Sequence, residues 1–167
     1  MKLSALVRSQ LSVEQLADPW VGPLALATQI PSLGFWGVKV LRLSNDECEV
    51  KLPFTFLTKN PFRSIYFSAL LGAGELASGA LVLKHLGNLN AISMLVVEMQ
   101  SRFLKKAKSV VVFRCREGQL IAAEVAKALR GEATEFWSTV EGTDETGDVV
   151  CELKVKWSLL GKAEKLK

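Results

Sequence analysis

Histidine is nearly absent from this chain: His85 is the only one in 167 residues. Chemistry that pairs a loop histidine with a helical carboxylate is therefore a poor match, and a role for His85 at the end of a helix is the plainer expectation. Cysteine is scarce too. Cys48, Cys115 and Cys151 are odd in number, far apart and without paired spacing, which argues against a disulfide framework or a zinc site and for buried, reduced thiols. Charge of one sign is also modest, with a net +4 and lysines and arginines spread out except at Lys105, Lys106, Lys108 and the C-terminus. Such a balance gives small anionic ligands a slight advantage and offers no basic stripe, helix-turn-helix or aromatic RNA signature, so no nucleic-acid partner is expected. The first fifteen residues hold no sustained apolar run and no small-residue cleavage site, so no signal peptide is read there and the expected location is the cytoplasm. Repeats, low-complexity tracts and flexible linkers are missing, apart from a lysine-rich tail over 161–167 expected to be disordered, and the length suits one domain.

What is present is apolar material, 49% of all residues, enough for a core without staples. Ser12-Val13-Glu14-Gln15 has the form of a capping box, and Leu11 with Leu16 stands at hydrophobic-staple spacing, so a short helix is predicted that ends at Asp18-Pro19. The prolines and glycines from there to Gly34 read as a loop or covering segment carrying Leu24, Leu26 and Ile30 against the core. Two strands follow, about 35–43 and 47–53, joined as a hairpin at Ser44-Asn45-Asp46. In the second, Cys48, Val50 and Leu52 alternate with Glu47, Glu49 and Lys51, so one face is buried and the other wet.

Residues 64–85 are too long for a strand, and their apolar run is broken by one carboxylate, Glu75. A membrane span is the rival reading, but Gly72, Gly74, Ser78, Gly79 and a central Glu75 between amphipathic strands fit poorly with one. A helix apolar all round is buried all round, so a sheet is expected to wrap it. Further strands are predicted over 91–103, 108–116, 132–141 and 148–160, the last with Cys151, Leu153, Val155 and Trp157 inward. The first of these is apolar on both faces, with Ile92, Met94 and Val96 opposing Leu95, Val97 and Met99, and so needs cover beyond its own sheet. A surface helix over 119–130 should bury Ile121, Val125, Ala128 and Leu129 and end at Gly131.

The stretch from Asn60-Pro61-Phe62-Arg63-Ser64-Ile65-Tyr66-Phe67-Ser68 to Glu75 resembles, in its spacing, the active-site segment of hotdog thioesterases of the phenylacetyl-CoA type. That family has an asparagine, a His-Gly-Gly turn opening the central helix and an acidic residue beyond it, and Asn60, Tyr66 and Glu75 stand at the matching positions. Tyr66-Phe67-Ser68 replaces His-Gly-Gly. Thr58-Lys59-Asn60-Pro61 and Glu75-Leu76-Ala77-Ser78-Gly79 also resemble an uncharacterised hotdog branch, a domain family of unknown function, over most of 12–160.

The resemblance implies an α+β fold, a single hotdog domain in which an antiparallel sheet wraps a long central helix. It implies an acyl-CoA thioesterase-like hydrolase in which Glu75 activates water or attacks directly and Asn60 orients water or substrate. The backbone N–H groups of Phe67 and Ser68 would meet the oxyanion at the positive end of the helix, and Tyr66, Arg63 and Ser64 would contact substrate. Arg63 and the Lys105, Lys106 and Lys108 cluster could meet coenzyme A phosphates or simply be solvated. No metal or redox cofactor is needed; the coenzyme A thioester is the substrate. The partners implied are this small molecule and a second copy of the chain, as a homodimer or dimer of dimers, with no membrane span. A catalytically silent acyl-binding or structural hotdog protein is the alternative, and simpler roles remain open for Asn60 as a turn residue and Ser64 as a helix cap.

Overall fold

The computed structural model describes residues 13–87 and 92–161. Leu11, Ser12, the predicted strand start at Ala91 and the lysine-rich tail beyond Gly161 lie outside them. A 3-10 turn, Val13–Ala17, buries Leu16 and stops at Asp18, whose Oδ1 accepts the backbone N–H groups of Trp20 and Val21, both at 2.8 Å. This cap starts a helix where a loop was expected over 20–34: α1 spans Val21–Gln29, and α2 spans Pro31–Phe35. The prolines that suggested a loop sit in first turns, Pro23 near the start of α1 and Pro31 at the first position of α2, where no N–H is needed. The segment does cover the core, through Ala25, Leu26 and Leu33; Leu24 and Ile30 face outward instead.

Gly37, at φ 72, turns the chain out of α2, so β1 spans Lys39–Leu43 and starts later than predicted. It forms an antiparallel hairpin with β2, Cys48–Leu52, and Ser44 Oγ accepts the N–H groups of Asp46 and Glu47 in the turn. Cys48, Val50 and Leu52 are buried as the alternation required. Beyond the central helix α3, Phe67–Leu86, come β3, Ile92–Phe103, β4, Val111–Cys115, α4, Gly118–Leu129, β5, Thr134–Asp144, and β6, Val149–Gly161. The strands make one antiparallel six-stranded sheet in the order β1-β2-β4-β5-β6-β3.

The sheet wraps α3, which packs on β2, β4, β5 and β6, while α4, α2 and the N-terminal turn cover its other sides. This helix has the length and mean hydropathy, 1.3, of a membrane span, yet 61% of that window is buried inside the fold, so it is a core helix. Its approach to the sheet depends on Gly74, where a Cβ would stand 2.0 Å from Leu153 Cδ1 and 3.2 Å from Phe113 Cδ1. Helix α4 buries Ile121, Val125 and Ala128 and ends at Gly131, φ 88; Leu129 is exposed rather than buried. The three cysteines are buried and unpaired; burial pushes Cys115 up to about 11 and Cys151 to about 12, and Cys48 higher. Cys48 and Cys115, distant in sequence, face each other across β2 and β4.

Strand β3 is the free edge beside β6. Between Val96 and Glu98 its register shifts, so Met94, Val96 and Met99 all pack toward the core. Met99 is therefore not on the face of Leu95 and Val97, because a bulged residue reverses the alternation. Leu95 and Val97 are exposed on the outer face.

Candidate active site

The segment before α3 is a folded loop built by Thr58 and Asn60. Thr58 Oγ1 donates to the Pro53 carbonyl at 2.9 Å and accepts the Thr55 N–H at 2.9 Å, and the Thr58 carbonyl accepts the Tyr66 N–H at 2.7 Å. Asn60 Oδ1 accepts the N–H groups of Phe62, at 2.9 Å, and Ser64, at 3.2 Å. Its Nδ2 donates to Ser64 Oγ at 3.1 Å and the Ile65 carbonyl at 3.4 Å. The amide is thus engaged within its own loop, an extended Asx turn that brings Arg63 to φ 57. Ser64 is buried against Asn60 and is not a helix cap; α3 starts three residues later, with Tyr66 at its cap position and no side-chain cap bond.

The missing cap matters. Neither Phe67 nor Ser68 has a backbone or side-chain acceptor for its N–H among the described residues, while the N–H groups of Ala69 and Leu70 return to the Tyr66 carbonyl. The twenty-residue helix therefore opens with two free N–H donors at its positive end. Beside them lies a hollow of about 490 Å³ lined by Asn60, Phe62, Tyr66, Phe67, Leu70 and the 103–107 segment. Tyr66 and Phe67 are about half exposed at its mouth, ring edge to ring face with centroids 4.8 Å apart.

Glu75 is elsewhere. Eight residues beyond Phe67 is about 12 Å along the helix, and its carboxylate opens onto a second hollow, of about 530 Å³, between α3, Trp157 and Met94, Leu95 and Val96 of β3. No ion pair or hydrogen bond holds this carboxylate among the described residues, and burial alone raises it above the ordinary value of 4.5. Beneath it, Gly79 leaves room: a Cβ there would lie 3.2 Å from Glu75 Oε1 and 3.3 Å from the Trp157 ring. Trp157 Nε1 donates to Ser78 Oγ at 3.2 Å, and Ser78 Oγ donates to the Glu75 carbonyl at 3.1 Å, which fixes the floor.

The structure therefore gathers Asn60, Ser64, Tyr66 and Phe67 at one hollow, with Ser68 adjoining in the first helical turn, and leaves Glu75 at another. Arg63 lies on the far face of the loop, in a third hollow with Phe56, Lys59 and Lys108. Lys105 is bound to Asp144 at 2.9 Å and to Asp148, and these partners, Asp148 foremost, hold it well protonated, so it is not a free phosphate ligand. Lys106 lies beside the first hollow without an ion pair among the described residues. His85 has the helix-terminal role expected of it, Nε2 donating to the Asn45 carbonyl at 2.8 Å. Of the 103–107 wall the sequence pointed only to Lys105 and Lys106, and it missed the floor of Gly79, Ser78 and Trp157, for which the inward phase of Trp157 in β6 was the one signal. Among the described residues no three His, Cys, Asp or Glu side chains gather as a metal site would need.

No curated protein matches this chain. Among solved structures, a probable thioesterase of unknown function from Pseudomonas aeruginosa is 26% identical with a TM-score of 0.72, over 84% of this chain and 94% of that one. A thioesterase from Haemophilus influenzae is 13% identical with a TM-score of 0.63, over 86% and 91%. A protein of unknown function from Chlorobaculum tepidum is 12% identical with a TM-score of 0.74, over 90% and 94%. These likenesses, with the wrapped helix, make the fold a thioesterase-like hotdog. The profile of the domain of unknown function DUF4442 matches residues 23–159, and the chain belongs to that family.

Proposed function

We propose that this protein hydrolyses an acyl-CoA thioester as a homodimer, each site drawn from both copies. The observation that carries the reading is Glu75, a desolvated carboxylate without a partner among the described residues, open to a hollow at the free edge of the sheet. Pairing β3 with a second copy in antiparallel fashion, centred between Val97 and Glu98, would bring Phe103 beside the partner's Ile92. The Tyr66 hollow, walled by Phe103, would then face the partner's Glu75 hollow, walled by Met94 and Val96. The same pairing covers an exposed apolar edge, a liability that soluble proteins otherwise blunt.

In this arrangement Glu75 takes a proton from water as hydroxide adds to the thioester carbonyl. The oxyanion is met by the free N–H groups of Phe67 and Ser68, the C–S bond breaks, and the proton goes to the departing thiolate. Asn60 holds the loop that shapes the acyl hollow rather than the water, and Lys106 is the cation placed for a phosphate of coenzyme A. Three buried, unpaired thiols suit the cytoplasm. A silent acyl-binding protein is the second reading, favoured by the side chains of Tyr66 and Phe67 at the mouth where a His-Gly-Gly turn would leave space.

The test is acyl-CoA turnover by the native chain and by the triple variant Tyr66→His, Phe67→Gly, Ser68→Gly. Hydrolysis of at least one short, long or aromatic acyl-CoA is expected in the native chain, with a higher rate in the variant. No turnover by either protein, both folded, would favour the silent reading.

A further inference from the structure

One end of the molecule carries an apolar and basic surface that shares only Phe62 and Lys106 with the proposed site. The 53–58 turn, held by Thr58, thrusts Phe56 into solvent at 78% exposure beside Leu57, and the Asn60 loop does the same with Phe62 at 73%. Interleaved with them are Lys59, Arg63, Lys106 and Lys108. Lys59 lies 4.7 Å from the Phe56 ring and Lys106 6.0 Å from that of Phe62; Arg63 and Lys108 share the shallow hollow of Phe56. None of the four makes an ion pair among the described residues, and neither 54–74 nor 103–116 contains an aspartate or glutamate.

We infer that this surface docks the protein on an anionic lipid bilayer, with Phe56, Leu57 and Phe62 entering the interface and the four cations facing lipid phosphates. Exposed phenylalanines on rigid turns lose little freedom on insertion, and each basic group near a negative leaflet adds to the attraction. A second copy is a poor occupant, because a two-fold contact would set four unpaired cations against four. Single-stranded nucleic acid is disfavoured as well, since the two rings stand on separate turns at separate hollows and not along one groove. The mouth of the acyl hollow shares Phe62 and Lys106 with this surface, so docking would place that mouth at the lipid headgroups. The inference stands whether or not the protein hydrolyses thioesters.

Co-sedimentation of the full chain with phosphatidylcholine vesicles containing phosphatidylserine tests it, against pure phosphatidylcholine vesicles, at physiological ionic strength. Binding to the anionic vesicles alone is expected. The double variant Lys59→Gln, Lys108→Gln should weaken it about thirtyfold, at the strength typical of a surface lysine. The variant Phe56→Ser, Leu57→Ser should weaken it about tenfold or more, with melting temperatures unchanged because these side chains are exposed. Absence of binding, equal binding by the variants, or preferential capture of single-stranded RNA would each overturn it.

Discussion

Glu75 is costly where it stands, since a carboxylate on a core helix with no cation and no donor among the described residues gives up hydration for nothing in return. Its pKa is raised in the folded protein, so the folded state binds the proton more tightly than the unfolded chain, and stability is greatest where Glu75 is protonated. That contribution is lost as pH rises from the ordinary value of 4.5 through the raised one. The Glu75→Gln variant lacks the loss, and its melting temperature relative to the native chain should climb over that window and then level off. Parallel melting curves at every pH would show that the carboxylate is not desolvated. The position of Glu75 was legible because a lone charge in an apolar helix is conspicuous. Its separation from Asn60 within one chain was not, because spacing along a sequence does not say which face of the sheet edge a side chain opens onto. Nor was the capture of Lys105, whose carboxylate partner Asp144 lies 39 residues away at the end of β5.

At the level of elements, the strands were legible because alternation with period two survives in β2 and β6. Helices α1 and α2 were not, because proline reads as a breaker unless the first turn of a helix is already located. The bulge in β3 was hidden for a related reason: an extra residue changes no composition, yet it moves Met99 to the inner face and leaves Leu95 and Val97 outside. Those two residues, at an unpaired edge, are where a second copy would be held. Sedimentation at low micromolar concentration should give at least twice the mass of the chain. The double variant Leu95→Lys, Val97→Lys should shift it toward a folded monomer, since like charges would meet across the two-fold axis. A native chain that sediments as a clean monomer would remove the composite site.

At the scale of the whole molecule, a hotdog sheet wrapped on an apolar helix leaves its special groups at three places. Free N–H donors mark the helix start, a half-buried carboxylate lies midway along the helix, and a basic apolar end surrounds the loop between 54 and 67. In the proposed reaction the first two belong to one acyl-transfer site, and Glu75 is the group that activates water. The rate of thiol release from the best acyl-CoA substrate, compared between the native chain and Glu75→Gln, tests it most directly. Loss of general base catalysis should lower that rate by about a hundredfold or more, with fold and oligomeric state unchanged. Equal rates in the two proteins would contradict it.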